Sequence, residues 1–318
     1  MSNQAERHAT AETGRRLREN SRPDLDFTPV RNGMDYLISA VTNLKNDGAA
    51  PPSDRDLKYA VLHLQAATEV LLKARLVHVH WSLVFKDPGN ASRKAYENGK
   101  FESCNITATM DRLTKIAQVA IDDKDRAAIK DLADTRNALT HFGHTANAFA
   151  VEAKASQVLG FLLTFIHRHL VPVLAEESKD IEQTMATLRA QYRDITAFVT
   201  QRMKDLASSL DPLAESTVEC PDCFQWALPI REDTPATCHF CLAQWEIPQD
   251  VAQEYGLLIR GEDDFRGLRD CPCCGEPYCV GVVNTVQSKE TDVALCFGCG
   301  DVFYERRVRD LHNEGMTG

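Results

Sequence analysis

Hydrophobic positions recur every three or four residues over the first two thirds of the chain, and this period predicts helices. The first predicted helix covers residues 31–47. A second, longer helix is predicted from residue 53 to about residue 85. Ser53, with Asp56 three positions later, has the pattern of a capping box at its start.

The same period predicts further helices over residues 108–121, 122–141, 145–172 and 178–210. Residues 88–106 lack it and are predicted to form a loop. The resulting fold class is an antiparallel helical bundle over residues 30–175. The more polar helix over 176–212 is expected to connect this bundle to the C-terminal third of the chain, either as a spacer or as a dimerisation arm.

The pattern changes after Asp211 and Pro212, where short runs rich in β-forming residues replace the helical period. The clearest predicted strands cover residues 278–286 and 293–297. This part of the chain is expected to form two small β-rich modules. Their predicted extents are residues 213–247 and 248–318.

The composition is that of a globular protein without a membrane segment. Of the 318 residues 43% are hydrophobic, enough for a sizeable core. We find no run near the roughly 18 apolar residues that a bilayer span needs. Residues 1–29 are polar and charged, so we expect a disordered arm there instead of a secretory signal. A cytoplasmic protein with no membrane partner is expected.

The net charge of −10 is unevenly distributed. From Val218 onward the chain has 18 acidic and 8 basic residues, whereas 28 of each precede it. Affinity for a nucleic-acid backbone rests on cationic groups, so the acidic third is a poor non-specific nucleic-acid binder. A protein partner, a dimer contact or recognition of a specific shape is favoured for this region.

Ten of the eleven cysteines follow Val218, mostly in pairs separated by two residues. Without a signal peptide such pairs favour metal ligation over disulfides. Two groups of four cysteines are expected to hold one structural zinc each: Cys220, Cys223, Cys238 and Cys241 in the first, and Cys271, Cys274, Cys296 and Cys299 in the second. Four thiolates close the tetrahedral shell, so neither zinc is expected to be catalytic. The two modules resemble zinc ribbons.

Three cysteines remain outside these groups, and one histidine lies between two of the predicted ligands. Cys273 and Cys279 are spare, and either is an alternative to Cys274, although the two-residue spacing favours Cys274. Cys104 is expected to be buried and inert. His239, between two ligands, is expected not to bind metal.

The most informative polar residues close the predicted helix over 122–141. They are Arg136, Asn137 and His141, followed by Gly143. Arginine binds and neutralises phosphate, and histidine changes its protonation near neutral pH. Together these side chains have the chemistry needed to cut RNA without a metal.

Arg136 and His141 cannot easily reach the same atom from one helix. Five positions rotate by about 500°, which leaves the two side chains about 140° apart. Either the helix unwinds near Gly143 and turns His141, or two chains bring their motifs together across a two-fold axis. We favour the dimer.

The pattern Arg136-Asn137-x-x-x-His141 at the end of a bundle helix resembles the catalytic motif of HEPN domains (higher eukaryotes and prokaryotes nucleotide-binding). Glu69-x-x-x-Lys73-Ala74 also resembles a helix common in that family. We interpret Glu69 and Lys73 as a structural ion pair. The resemblance covers residues 30–175 and not the zinc modules.

The resemblance implies a dimeric, metal-independent endoribonuclease of an antiviral or toxin system. Arg136 would bind the scissile phosphate, His141 would act as acid or base, and Asn137 would position the phosphate or the 2′-hydroxyl. The zinc ribbons would recognise a phage trigger or target, or bind a protein regulator. A non-catalytic HEPN/zinc-ribbon adaptor and a nucleotide-sensing regulatory protein are the alternatives.

The remaining histidines are less directly tied to this chemistry. His78 and His80 are expected to be packed in the protein interior. His144, His167 and His169 are further candidates for the cleft.

Overall fold

The computed structural model describes residues 27–142, 145–232, 235–261 and 267–303. Most of this part of the chain is helical, with small antiparallel sheets near its C-terminal end. The fold class is therefore a helical domain with small β modules.

The helices and strands follow in chain order. The α-helices are α1 Pro29–Leu44, α2 Asp54–Val79, α3 Arg93–Glu97, α4 Ile106–Lys115, α5 Asp123–His141, α6 Ala148–Phe165, α7 Ser178–Tyr192, α8 Thr196–Leu210 and α9 Pro248–Tyr255. The strands are β1 Thr217–Val218, β2 Leu228–Pro229, β3 Ala236–Thr237, β4 Gln244–Trp245, β5 Val280–Val283, β6 Val293–Cys296 and β7 Val302–Phe303. A π-helical turn, Ile166–Leu170, extends α6, and another, Gly256–Arg260, extends α9.

Helix α2 lies at the centre of the bundle and packs against α1, α4, α5 and α6. Its buried residues include Leu64, Leu71 and Leu72, none of which is exposed. The contact with α1 is especially close at Gly33, because a Cβ atom there would lie 2.5 Å from Cγ of Leu71. This central position makes α2 the support for side chains on α5.

The helix starts predicted at Ser53 and near residue 122 are confirmed, whereas those predicted at residues 31 and 108 lie at Pro29 and Ile106. The side chain of Ser53 accepts from the backbone N–H of Asp56, whose carboxylate accepts from the N–H of Ser53, which completes the capping box. At the start of α5 the side chain of Asp122 accepts from the N–H of Asp125. These short-range hydrogen bonds satisfy N–H groups that have no partner within the helix.

The predicted length of α2 is wrong, because the helix ends at Val79 and not near residue 85. His80 is extended, with φ of −166°, and its ring accepts from the N–H of Ser82. That contact starts a separate 3-10 turn, Trp81–Val84. His78 and His80 are both exposed, so their predicted burial is also wrong.

The single helix predicted over 178–210 is instead the pair α7 and α8. The break is anchored to the end of α1, where Asn46 donates to the carbonyl of Asp194 and accepts from the N–H of Thr196. Ile195, in the break, is 2% exposed. The chain folds back there, so that α7 packs against α1 and α8 against α6. Both helices therefore lie on the bundle instead of extending away from it.

One helical stretch in the described part of the chain, Ala148–Leu170, is long and apolar enough to pass a length-and-composition test for a membrane span. This test alone is weak evidence. Leu159, Leu162 and Leu163 in this stretch are fully buried among neighbouring helices. Packing in the bundle core accounts for the apolar composition.

The β modules contain short antiparallel ladders. In the first module β1 pairs with β2 and β3 with β4, and in the second β5, β6 and β7 form one sheet. Strands β5 and β6 confirm the two predicted strands, with somewhat shorter bounds. The modules also touch each other, since the N–H of Val286 donates to the carbonyl of Thr217.

Two buried arginines join the first module to the bundle. Arg202 of α8, only 9% exposed, donates from Nε to the carbonyl of Phe240 at 2.6 Å and from Nη2 to that of His239 at 3.2 Å. Its Nη1 donates to the carbonyl of Gly160 in α6 at 3.1 Å. One guanidinium therefore connects α6, α8 and the module.

Arg189 of α7 makes the second connection. It is 8% exposed and pairs with Glu182 at 3.0 Å and with Asp222, between the first two cysteines, at 3.7 Å. Hydrophobic burial is continuous across the same boundary, because Phe198 of α8 and Phe240 of the module are both 0% exposed and belong to one cluster. The first module is thus part of the main core.

We expect Arg202→Met to lower the free energy of unfolding by about 2–4 kcal/mol, since three hydrogen bonds from a charged donor are lost. Urea unfolding followed by circular dichroism measures the change. Arg193→Ala is the matched control, because this arginine is half exposed and its ion pair is worth about 1 kcal/mol or less. Equal effects of the two substitutions would contradict the role assigned to Arg202.

Candidate functional site

Arg136 lies on the face of α5 that packs against α2. Its Nε donates to Oε1 of Gln65 at 3.1 Å, and Nη2 lies 3.9 Å from Oε2 of Glu69. Gln65 in turn donates to Oε2 of Glu69 at 3.0 Å. The side chain of Arg136 remains 31% exposed. The guanidinium is therefore held on one edge while part of it faces solvent.

The carboxylate of Glu69 has a second cation beside it. Nζ of Lys73 lies 2.6 Å from its other oxygen and also donates to Oγ of Ser103 at 2.9 Å. Burial raises the pKa of Glu69, but Lys73, Gln65 and Arg136 together lower it more, so it lies below its usual value. The predicted ion pair of Glu69 and Lys73 is confirmed.

Asn137 and His141 occupy the solvent-exposed side of α5. They are one helical turn apart and share that side with the exposed Lys130 and Asp134, which lie seven residues before Asn137 and His141 respectively. The helix continues through His141, and Phe142 caps it by donating its N–H to the carbonyl of Ala138.

Within one chain the structure does not bring the motif side chains to a common point. Arg136 turns toward α2, whereas Asn137 and His141 turn toward solvent. The helix stays wound through His141. Unwinding before this residue, which would have turned His141 toward Arg136, is therefore not observed. Gly143 and His144, the predicted turn residue and a candidate for the cleft, lie outside the described residues.

The surface beside the motif is partly apolar. Phe142 is 91% exposed and Phe149, near the start of α6, is 74% exposed. A cleft of about 300 Å³ lies close by, lined by Leu139 from the motif, Lys58 from α2 and Val151 from α6. The end of α5 thus combines exposed aromatic rings, a lysine and the motif.

Sequence reasoning missed Gln65, which contacts Arg136 directly. Its only local signal is a position four residues before Glu69, on the same side of α2. The level at which α5 packs against α2 is decided by the tertiary structure. It cannot be derived from the spacing of residues in the sequence.

The first cysteine group forms a compact, fully buried cluster. Cys220, Cys223, Cys238 and Cys241 are each 0% exposed, and their sulfur atoms lie within 4.8 Å of one another. Two of the Sγ–Sγ distances are 3.8 and 3.7 Å. Four sulfurs at about 2.3 Å from a tetrahedral zinc are about 3.8 Å apart, so the geometry suits zinc.

The second group has similar distances between its sulfur atoms but is more exposed to solvent. The sulfurs of Cys271 and Cys299 are 3.8 Å apart, as are those of Cys274 and Cys296. All four lie within 4.8 Å of one another, which supports Cys274 as the fourth member over Cys273 or Cys279. Cys274 is exposed, whereas Cys296 is 0% exposed.

Backbone N–H groups support the second cluster. Those of Gly298 and Cys299 point at Sγ of Cys296, at 3.3 and 3.4 Å. Gly300 has φ of +80°, a conformation that glycine adopts without strain, and a Cβ there would lie 2.6 Å from the carbonyl oxygen of Ile230. The glycine therefore allows the two modules to approach closely.

The remaining candidate residues lie apart from these sites. His239 is not part of the sulfur cluster, and Cys104 is buried as expected, with its sulfur near Thr109. Burial lowers the pKa of His167 and of His169. His169 lines a separate cleft of about 500 Å³ between α6 and α8.

No protein-family model matches this chain, and comparisons with curated proteins and with solved structures find no match either. Any function assigned to the protein therefore rests on its own residues and their geometry.

We expect the two cysteine clusters to contribute unequally to stability. Cys223→Ser and Cys274→Ser should each reduce bound zinc from about two to about one per chain, as measured by elemental mass spectrometry. Cys223→Ser should lower the melting temperature of the helical signal by on the order of 10 °C, because its cluster lies in the main core. Cys274→Ser should lower it less. A larger loss of melting temperature in Cys274→Ser than in Cys223→Ser would contradict the placement of the first cluster in the main core.

Proposed function

We propose that this protein is a metal-independent endoribonuclease of the HEPN type, with Arg136, Asn137 and His141 as its catalytic residues and zinc in structural roles only. The observation that carries the proposal is the setting of Arg136. A partly exposed guanidinium is held by a second helix, and an exposed asparagine and histidine follow it on the same helix.

The contacts of Arg136 suit it to bind phosphate. Glu69 is shared with Lys73 and Gln65, so the carboxylate does not fully neutralise the guanidinium. Its Nη1 donates no hydrogen bond within the described residues, and it can meet a phosphate oxygen together with Nη2. Such charge-assisted contacts are short and directional, which favours arginine at this position.

His141 and Asn137 would act on the substrate from the exposed side of α5. In the proposed step an imidazole removes the proton of the 2′-hydroxyl, and the 2′-oxygen attacks the adjacent phosphorus. The 5′-oxygen of the next nucleotide leaves with a proton from the imidazolium so formed or from water, and a 2′,3′-cyclic phosphate remains. DNA lacks the attacking hydroxyl, so the reaction is confined to RNA.

The opposed directions of Arg136 and His141 favour a homodimer with a composite site. A two-fold axis near the end of α5 would place the arginine of one protomer opposite the histidine of the other. The exposed Phe142 and Phe149 would supply apolar area for that contact.

The assay uses purified, zinc-loaded protein and single-stranded RNA during brief exposure to EDTA, with bound zinc measured in the same sample. Wild type should cut the RNA and leave cyclic-phosphate ends. Arg136→Ala and His141→Ala should each reduce the rate by roughly 10²–10⁴-fold, the range of acid–base and phosphate contributions.

Two exposed side chains outside the motif provide matched controls. Arg168→Ala and His78→Ala remove an exposed arginine and an exposed histidine, and both should retain the wild-type rate. Full activity in both motif variants would refute the nuclease assignment. Zinc-loaded wild-type protein that cuts no RNA would favour the non-catalytic adaptor, for which the acidic C-terminal third is the supporting feature.

Mixing the two inactive variants tests the composite site. If each site takes its arginine and histidine from different chains, an exchanged dimer of Arg136→Ala with His141→Ala contains one intact site. Random exchange should then restore up to about a quarter of wild-type activity. If both residues act within one chain, mixing restores nothing, and the dimeric site is wrong.

We extend the proposal to a cytoplasmic role in antiviral defence or as a toxin, in which RNA cleavage halts growth. The zinc modules would then receive a phage trigger or bind a protein regulator. Because the first module is packed on the bundle through Arg189 and Arg202, a partner bound there has a direct mechanical connection to the helices.

A further inference from the structure

The second cysteine cluster has a fifth thiol in contact with it. Cys279 is 0% exposed, and its Sγ lies 3.3 Å from Sγ of Cys296 and 3.1 Å from the carbonyl oxygen of Glu276. Among the described residues the first cluster contains four cysteines and no neighbouring fifth. The two clusters therefore differ in chemistry although their ligand spacing is alike.

The 3.3 Å distance separates Cys279 from the ligand set. Sulfurs that share a tetrahedral zinc lie about 3.8 Å apart, and the pairs Cys271–Cys299 and Cys274–Cys296 match that value at 3.8 Å. The sulfur of Cys279 is closer to that of Cys296 than a second ligand of the same zinc would be. Cys279 is therefore a thiol in contact with a ligand sulfur and is not itself a ligand.

The sheet holds this contact in place. Val280 is paired with Cys296 in the antiparallel ladder of β5 and β6, and the N–H of Phe297 donates to the carbonyl of Cys279 at 2.8 Å. Cys279 therefore cannot drift from Cys296 while the ladder is formed. Proximity of this kind is the main requirement for a disulfide.

Solvent reaches the second cluster but not the first. Cys274 is exposed and Cys299 is half-buried, whereas the four cysteines of the first cluster are all 0% exposed. A small oxidant can therefore attack Cys274. Oxidation of thiols depends on exposure and thiolate character, and zinc ligands are thiolates.

We propose that the second cluster is an oxidation site, at which a peroxide converts Cys279 and Cys296 to a disulfide and the zinc is released. The proposal rests on zinc ligation by this cluster and is independent of the ribonuclease assignment. The first cluster, buried and without a spare thiol beside it, keeps its zinc under the same conditions.

The chemistry balances with hydrogen peroxide as the oxidant. The thiolate of Cys274 attacks one peroxide oxygen, the O–O bond breaks, and a sulfenic acid and hydroxide form. Cys296, 3.8 Å away, attacks the sulfenic sulfur and displaces hydroxide, giving a disulfide. Cys279 then gives up its proton and attacks Cys296, and Cys274 leaves as a thiolate.

The net reaction consumes one peroxide, the thiolate of Cys296 and the thiol of Cys279, and yields one disulfide, one water and one hydroxide. Cys296 is no longer a thiolate, so the zinc loses a ligand and its closed shell opens. A thiol reductant reverses the disulfide, after which the four ligands are again free to bind zinc.

The experiment uses full-length zinc-loaded protein, hydrogen peroxide and a chromogenic zinc chelator. Wild type should release about one zinc of two per chain, and peptide mass spectrometry should find Cys279 joined to Cys296. In Cys279→Ser the final exchange step is lost, so one zinc should still be released, but the disulfide found should join Cys274 to Cys296. Cys273→Ser, which removes an exposed thiol outside the group of four sulfurs, should release zinc at the wild-type rate.

Bound zinc is measured in each variant before oxidation, and Cys279→Ala replaces the serine variant if that variant does not hold two zinc ions. Peroxide-treated Cys279→Ser or Cys279→Ala that contains no disulfide between Cys274 and Cys296 would overturn the proposed route. So would a wild-type disulfide that omits Cys279, or loss of zinc from the first cluster at the same rate as from the second.

Discussion

The buried guanidinium of Arg202 is the interaction on which the arrangement of this protein most depends. It sits 9% exposed between α6, α8 and the first cysteine module, and each of its three nitrogens donates to a backbone carbonyl. A buried charge is costly unless it is fully hydrogen-bonded, so Arg202 is stable only when all three elements are in place. Folding of the helices is thereby linked to folding of the first module.

A second, half-buried network connects the bundle to the proposed chemistry. Glu69 on α2 accepts from Lys73 and Gln65 and lies near Arg136 of α5. The same contacts that lower its pKa also orient the guanidinium. An arginine held in one position loses little freedom when it binds phosphate. The packing of α5 on α2 therefore fixes the orientation of Arg136. Because His141 lies on the opposite side of the helix, the proposed reaction needs a second chain to bring a histidine to this arginine.

Most helix positions and the cysteine groups could be predicted from the sequence, because they depend on short-range patterns. The capping box at Ser53, the start of the helix near residue 122 and the strands around Val280 and Val293 were found in this way. The end of α2, the exposed His78 and the division of residues 178–210 were not. The end of α2 depends on the contact of His80 with Ser82, and the division of residues 178–210 depends on that of Asn46 with the chain around Asp194 and Thr196, 150 positions away in sequence.

By itself the sequence determined which side chains are candidates for chemistry: two sets of four cysteines at zinc-ligand spacing, and an arginine, asparagine and histidine at the end of one helix. Only the tertiary structure decided their surroundings. It placed Gln65 against Arg136, turned His141 to solvent, buried the first cluster and set Cys279 against Cys296. The reason is that ligand spacing and helical period are properties of neighbouring residues, whereas burial and contact join positions that only packing brings together.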